Sequence, residues 1–550
     1  MEFGYKKLSA NIFTIPLIIA LVVCVQPIFM GYPMGHDWIF ELVRIVEYHD
    51  ALSSGQGLPF WGGNLYQGFG SPIFVFYAPL YVACTSLLMM AGIPVTVAAI
   101  AVLVFFTMLA AVGMTCLVRE IIGRDKPKAD AAAQVAAAVF VLAPYFLANM
   151  LIRNASAEFV ALCLSPYPLW GLVLIYKGNH RGLPVLAVSF SLLILAHNLT
   201  GLTMAAVLSV VIFLQFYRKP VESFQAVIAI LFALGLSCWF WLSALGLKAH
   251  VRIDEMTQGK FDFHNNFTPI GEMFNYGGLF AIGWLIPMLL LISVVALVRD
   301  RKNTALASLL AAGLVFVFLQ TDMSTLIWEN VPLLSLFQFP WRMLGPLSLV
   351  VALMSGLLFH KYLSHWRFSK SIIIMLVVAN AIPLMLTYEP LSIEHQQFIA
   401  ASLNPQGVSQ QKLHATVLDE YLPSTANKLV SERVPAGIVI LPRSIPAIVQ
   451  WESNTNIYFE VETNRPGVLH VARWYFPGWR VTVDGVEQRV RINQYGAVQI
   501  DIPVGRHYVQ LWLTQPALRQ WGVWISAITV ILFILFLLTG RRFWNVNKEV

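Results

Sequence analysis

Charge is what this chain has least of. Asp, Glu, Lys and Arg make up 12% of its 550 residues, about half the share usual in soluble proteins. That excludes a molecule whose whole surface is hydrated. Cysteine is scarce as well. Cys24, Cys84, Cys116, Cys163 and Cys238 all lie in or beside apolar segments, with no zinc-ligand spacing and no disulfide framework. The chain has no Walker or Rossmann glycine motif, so chemistry built on a nucleotide-phosphate loop is not expected. It has no internal repeat and no low-complexity tract. Lys6 and Lys7 precede an apolar run, but Pro27-Ile28-Phe29-Met30 offers no small-x-small cleavage site. An uncleaved signal anchor is expected.

What is there is apolar. Hydrophobic residues are 58% of the chain, mean hydropathy is +0.68, and long apolar runs recur from end to end. This reads as a polytopic helical membrane protein. The net charge of +7 does not point to nucleic acid. Most Lys and Arg outside the large hydrophilic region lie in short loops between apolar runs, where they set orientation.

Lys6 and Lys7 put the N-terminus inside, and a first span over about 11–30 leads out. Segment 31–72 is too polar to span. The apolar segment 72–92 has the hydropathy of a span, but a crossing there would put Arg119, Arg124, Lys126 and Lys128 outside. A segment lying in the outer leaflet, broken at Pro79, keeps them inside. Later spans at about 95–118, 131–150, 157–176, 183–199, 202–217, 222–247, 277–298, 304–320, 343–360, 371–387 and 521–539 then alternate correctly. The expectation is twelve crossings, with both termini inside. The domains expected are a transmembrane domain over 1–387, an exterior, mainly β domain over 388–516, and a final span with a basic tail over 517–550. In the β domain, Val481-Thr482-Val483 runs into Asp484-Gly485, a strong hairpin signal. Several short strands at such spacing suggest a β-sandwich.

Gly35-His36-Asp37-Trp38-Ile39-Phe40-Glu41-Leu42-Val43-Arg44 follows the first span directly. In a helix, Asp37, Glu41 and Arg44 share one face, and Trp38, Leu42, Ile45 and Val46 fill a neighbouring one. The pattern predicts an amphipathic interfacial helix with a carboxylate held above the bilayer. The other charges left outside also need a reason, because charge at a bilayer is costly. They include Arg153 and Glu158 around Asn154-Ala155-Ser156-Ala157, His197 and Asn198 in one outer turn, and Lys248, Arg252 and His264 in a later loop. Arg342 follows Gln338-Phe339-Pro340-Trp341.

That set suits sugar transfer from a polyprenyl phosphate. Cations hold the phosphate and stabilise it as a leaving group, and a carboxylate takes the acceptor proton. The catalytic candidates are Asp37 as base, with Glu158 and His197. The candidates for donor phosphate and substrate binding are His36, Glu41, Arg44, Arg153, Asn198, Lys248, Arg252, His264 and Arg342. No cofactor is called for. A divalent ion is compatible with the chemistry, but no ligand set indicates one.

The layout resembles the GT-C superfamily of polytopic glycosyltransferases, with Asp37 standing where that superfamily places a carboxylate in the first outer loop. Aminoarabinose and protein O-mannosyl transferases are similar in layout. A closer resemblance is to the bacterial membrane proteins with a 6-pyruvoyl-tetrahydropterin synthase-related domain and to the YfhO-like family. It is carried by Gly68-Phe69-Gly70-Ser71-Pro72, Tyr77-Ala78-Pro79-Leu80, Arg153 to Glu158, His197-Asn198-Leu199-Thr200, Gln338-Phe339-Pro340-Trp341-Arg342, and Tyr475-Phe476-Pro477-Gly478-Trp479 with Asp484-Gly485. The pterin name does not imply a pterin enzyme, since no histidines are spaced for zinc. The resemblance implies a GT-C fold with juxtamembrane helices in the first outer loop. It implies an inverting transferase acting on a polyprenyl-phosphate sugar donor (undecaprenyl in a bacterium) and on an envelope glycan, lipid or protein acceptor. The place implied is the bacterial inner membrane, with the site facing the periplasm. A transporter or flippase of a lipid-linked saccharide is an alternative, although it would carry mid-span charges and paired repeats. A non-catalytic glycan-assembly protein is another. Trp451, Trp474, Tyr475, Trp479 and Trp512 could stack on sugar, but their spacing reads first as core.

Overall fold

The computed structural model describes residues 11–274, 282–366, 368–402, 416, 419–434, 439–441 and 443–546. Among them, five helical spans are long and apolar enough to cross a membrane: Val95–Ile122, Ser156–Tyr176, Asn198–Phe216, Pro340–Leu363 and Ala517–Thr539. Three bent pairs raise the number to eight: Ala129–Val141 with Pro144–Arg153, Pro220–Leu236 with Cys238–Gly246, and Thr304–Phe318 with Asp322–Asn330. The twelve crossings expected from charge include four shorter apolar helices: Ile12–Val23, Gly182–Ala196, Leu285–Arg299 and Ser369–Met385. These fall below the roughly 20 residues that a full crossing needs, which is why length alone gives a smaller number.

Segment 72–92 forms two helices, Ile73–Phe76 and Leu80–Met90, with Pro79 at the break. An 11-residue helix is about 16 Å long at 1.5 Å per residue, about half the hydrocarbon thickness. Tyr81, Val82, Thr85 and Ser86 are buried along it.

The expected helix after the first span runs from Trp38 to Ser53. It departs from a simple interfacial helix, because Glu41 and Glu47 are buried together with Leu42, Ile45 and Val46. Segments distant in sequence cover the polar face as well as the apolar one.

Toward the C-terminus the described residues form eight strands: β1 (Ala447–Glu452), β2 (Asn456–Thr463), β3 (Gly467–Trp474), β4 (Trp479–Val483), β5 (Val486–Gln488), β6 (Arg491–Ile492), β7 (Ala497–Ile502) and β8 (Gly505–Leu513). They make a five-stranded sheet in the order β1-β2-β8-β4-β5 and a three-stranded sheet in the order β3-β7-β6. All pairings are antiparallel. Ile457, Phe459, Val461, Val481, Val509 and Leu511 from the larger sheet are buried, as are Leu469, Val471, Trp474, Val498 and Ile500 from the smaller. Asp484 and Gly485 turn β4 into β5 with φ of 51° and 80°, as a tight hairpin requires.

The helical part and the β region meet at segment 61–71. Trp61 packs edge-on against Trp479 at 5.8 Å, and Phe69 lies 4.3 Å from Trp474. The Trp474 N–H donates to the Phe69 carbonyl at 2.9 Å. The Tyr66 hydroxyl donates to Asp419 at 2.9 Å. Gly70 is required here: at φ +79° its Cβ would lie 2.4 Å from the Trp61 indole.

Candidate active site

The site begins where a span breaks. After Pro144–Ala148 the chain widens into a π-helical turn over Asn149–Arg153, a form that recurs at functional sites. Asn154 then takes a left-handed conformation, φ 54°, which Asn tolerates better than most residues. The next helix starts at Ser156. This break puts Arg153 and Glu158 side by side. Arg153 Nη1 is 3.1 Å from Glu158 Oε2. Arg342, at the start of another span, brings its Nε within 3.3 Å of the same oxygen. The Tyr145 hydroxyl donates to the other oxygen, Oε1, and accepts from Arg153 at 3.1 Å. Asn149 Oδ1 accepts from Arg153 at 2.8 Å.

Aromatic faces complete the enclosure. The Arg153 guanidinium lies 4.5 Å from the Trp341 ring centre, and that of Arg342 lies 5.0 Å from Phe339. Arg342 Nη1 also donates to the Phe337 carbonyl at 2.9 Å and to Gln338 Oε1 at 3.0 Å. Two guanidiniums on one buried carboxylate leave one positive charge in excess. Such a cluster is a poor source of stability and a good anion receptor.

The segment after the first helices is stapled to this break. The His36 N–H donates to the Ile152 carbonyl at 3.0 Å, and the Asp37 N–H donates to that of Arg153 at 2.8 Å. Asn154 donates to the Pro33 carbonyl at 2.8 Å and accepts from Tyr32 at 3.1 Å. The contact is close because Gly35 has no side chain; a Cβ there would sit 2.6 Å from the Ile152 carbonyl oxygen. Asp37 therefore stands at the N-terminus of the Trp38–Ser53 helix, bonded through its backbone to Arg153. Its side chain does not cap that helix. Its charge acts on Arg44, Arg153 and Arg342. Among the described residues, no hydrogen-bond donor engages its carboxylate.

One helical turn on, Glu41 pairs with Arg44 at 3.3 Å and accepts from the Tyr77 hydroxyl at 2.8 Å. Arg44 lies over the Tyr77 ring at 4.2 Å. Burial pushes the Glu41 carboxyl up to about 7, against the opposing pull of Arg44. Glu420 and Tyr421 reach the same cluster from the segment before the β region, and the Glu420 charge acts on Arg44. His197 faces Glu158 electrostatically. Its Nδ1 accepts from the Thr200 N–H at 3.3 Å, which leaves Nε2 to carry the proton.

The structure thus brings together Asp37, Glu41, Arg44, Arg153, Glu158, His197 and Arg342. His36 is exposed beside Asp37. Asn198 is exposed and donates to the Phe76 carbonyl at 3.2 Å, tying the turn at 197–198 to segment 73–76. The structure does not bring in the three residues of the later loop. Lys248 is exposed. Arg252 is held by Glu255 at 3.9 Å and by the Ala426 carbonyl. His264 sits at the surface between Asp262 at 2.7 Å and Glu329 at 3.2 Å. Tyr145, Tyr77 and Glu420 were not among the sequence candidates. Tyr77 stands in the Tyr77-Ala78-Pro79 motif, which was a signal available to the sequence; Tyr145 and Glu420 carry none. Among the described residues no group of three or more His, Cys, Asp or Glu side chains is arranged to hold a metal ion.

A family model described as 6-pyruvoyl-tetrahydropterin synthase related domain, membrane protein, matches residues 74–388. No curated protein matches the sequence. Among solved structures, the chain is similar to the Archaeoglobus fulgidus oligosaccharyltransferase in the apo form (14% identity, TM-score 0.46, covering 77% of this chain and 62% of that one). It is also similar to the AglB oligosaccharyltransferase from Archaeoglobus fulgidus in complex with an inhibitory peptide and a dolichol-phosphate (14%, 0.41, 75% and 61%). A third likeness is to the arabinosyltransferase EmbB from Mycobacterium smegmatis (12%, 0.38, 91% and 63%). The chain spans about three fifths of the length of each of these structures. At such scores the likenesses are distant, and the functional reading rests on the site itself.

Proposed function

The chain belongs to the family of membrane proteins with a 6-pyruvoyl-tetrahydropterin synthase related domain, and from that premise we propose that it is a glycosyltransferase of GT-C type using a polyprenyl-phosphate sugar. The observation that carries the reading is the unengaged Asp37 carboxylate whose charge acts on both arginines of the net-positive Arg153–Glu158–Arg342 cluster. A transferase of this kind needs a base and an anion site within one short reach. Arg153 and Arg342 receive the donor phosphate through the N–H groups that Glu158 does not use. Glu158 and Tyr145 hold the two guanidiniums in place. Arg44, locked by Glu41 and Tyr77, positions the helix that carries Asp37. The neutral His197 donates from Nε2 toward the sugar or phosphate oxygens.

In the reaction, Asp37 takes the acceptor hydroxyl proton as that oxygen attacks the anomeric carbon. The bond from that carbon to the phosphate oxygen breaks, and the polyprenyl phosphate leaves with the electron pair. Attack opposite the leaving group inverts the configuration. The proposed acceptor is an envelope glycan, lipid or protein, and the proposed location is the periplasmic face of the inner membrane, a reading supported by the charge pattern that assigns the Asp37 loop to the outside. Domain limits of 1–387, 388–516 and 517–550 and twelve crossings complete the proposed architecture.

The test is transfer from radiolabelled polyprenyl-phosphate sugars to crude envelope acceptors, comparing wild type with Asp37→Asn in lipid. Loss of a general base lowers rate about 10²–10⁴-fold, while donor binding should be unchanged. Transfer at the wild-type rate by the variant would remove Asp37 from the mechanism. Tight donor binding with no transfer by either protein would favour a carrier.

A further inference from the structure

The outer face of the five-stranded sheet carries four aromatic side chains. Trp451, Tyr458 and Tyr508 are 52%, 40% and 59% exposed, and Trp512 is half-buried. The strand register makes them neighbours. Tyr458 on β2 lies opposite Gln510 on β8, and Tyr508 and Trp512 flank Gln510 on the same face, diagonal to Tyr458. Trp451 on β1 lies opposite Tyr458, their ring centres 5.6 Å apart, edge to face.

Trp451 faces outward for a specific reason. Val449 pairs with the buried Phe459, so simple alternation would turn Trp451 inward as well. The register shifts between Val449 and Trp451, and this bulge re-aims the indole to the open face. The sheet thus breaks its own pattern to add a ring to an exposed cluster.

The arginines of this face are already paired. Arg506 pairs with Glu460, and Gln450 donates to Glu460 at 2.7 Å. Arg480 pairs with Glu487 at 3.2 Å. Glu462 stands opposite Arg506 in the register. What remains around the rings is neutral: Asn456, Gln510 and Thr482. A nucleic acid would need free cations. An anionic membrane surface would need basic residues in excess, and these carboxylates oppose it. Rings bordered by amides and hydroxyls, with both arginines paired and Glu462 the one carboxylate in excess, suit an uncharged partner with apolar C–H faces and many hydroxyls. From β1 to β8 is two strand spacings, about 10 Å, which suits a short run of sugar units rather than one.

We propose that this face is a binding platform for an uncharged glycan chain, separate from the site beneath Asp37. Trp451, Tyr458 and Tyr508 are its stacking residues, and Gln510 is its central hydrogen-bonding residue. Binding here needs no donor lipid and no transfer.

The experiment uses the full-length protein in detergent, titrated calorimetrically with cellohexaose, chitohexaose and mannohexaose. Indole emission is followed in parallel. At least one hexaose should bind. Tyr458→Ala and Tyr508→Ala should each weaken it about tenfold or more, and Trp451→Phe, which keeps a ring, should weaken it less than Trp451→Ala. Asp37→Asn should bind as wild type does, so failure of the transferase reading leaves this result intact. Unchanged melting temperatures would show that the variants fold. Absence of binding by all three sugars at millimolar concentration would overturn the proposal. So would binding that survives Tyr458→Ala/Tyr508→Ala. Association of the protein with phosphatidylglycerol vesicles that depends on the same side chains would assign the face to the membrane instead.

Discussion

Glu158 decides the electrostatics of the candidate site. It is a buried carboxylate that answers two guanidiniums, that of Arg153 buried and that of Arg342 largely so, while Tyr145 and Asn149 each accept one hydrogen bond from Arg153. Replacing it by Gln keeps the shape and removes the only charge in direct contact with both arginines among the described residues. Breaking a buried ion pair from one side costs about 3–5 kcal/mol, because the other partner stays buried and uncompensated. Glu158→Gln should therefore lower the apparent melting temperature of the detergent-solubilised protein by several degrees. Removing one arginine as well should restore part of it: Glu158→Gln/Arg342→Gln should melt above Glu158→Gln alone. Such non-additivity is expected of residues sharing one network. If the double variant melted at the sum of the two single losses, the cluster would not be the coupled unit described here.

At the scale of elements, local pattern was readable and long-range cover was not. The helix over Trp38–Ser53, the break at Pro79 and the Asp484-Gly485 hairpin follow from residues within a few positions of each other. Trp474 and Trp479 are buried, as their spacing suggests. Trp451 is exposed because of a bulge, and a bulge leaves no mark in hydrophobic alternation. The burial of Glu41 and Glu47 was also hidden, since Tyr77, segment 61–71 and Glu420 close over that helix from far along the chain. Arg44 looked like a phosphate ligand for the same reason, whereas the structure engages it with Glu41 and Tyr77. What joins helix to site is the contact of Gly35 with residues 152–154, and this supplies a sharp test. Gly35→Ala would place a methyl 2.6 Å from the Ile152 oxygen and 2.7 Å from Asn154 Cβ. The two backbone bonds that hold His36 and Asp37 would have to lengthen. A shift of about 1 Å in a reacting group can cost on the order of 10²-fold in rate. The variant should retain its melting temperature to within a few degrees and lose most of the transfer rate of the wild type. Equal transfer rates would show that the register of this loop does not position the base.

For the whole molecule, the helical part and the β region meet at segment 61–71, and the second buried carboxylate of the Trp38–Ser53 helix, bonded to that segment, makes the junction sensitive to pH. Glu47 is 1% exposed and forms no ion pair among the described residues; Asn64 donates its N–H to it at 3.2 Å. The Asn64 side chain donates to Asp50 at 3.0 Å. Asn64 belongs to the segment that packs Trp61 on Trp479 and Phe69 on Trp474. Burial, reinforced by the Asp50 charge, raises Glu47 to about 8, and burial raises Glu41 to about 7. An unfolded glutamate titrates near 4.3. Between those values the folded chain holds protons that the unfolded chain has lost, so stability contributed by these groups is complete below pH ~4.3 and is lost as pH rises through 7 and 8. This slope is opposite to that of a salt-bridged carboxylate such as one paired with arginine. Glu47→Gln keeps the acceptor for Asn64 and cannot ionise. Its melting temperature should be close to that of wild type at about pH 4 and above it at about pH 8.5, with the gap opening between about pH 4.3 and about 8. Measured at constant ionic strength, a gap that stayed flat over this range would mean that Glu47 does not titrate there. A gap that opened toward acid would mean that the carboxylate is charged in the folded protein and held by a partner. If the gap opens as argued, Glu47→Gln should also slow proteolysis within 61–71 at pH 8.5, since that segment is released when Glu47 ionises and ceases to be a comfortable neighbour for Asp50.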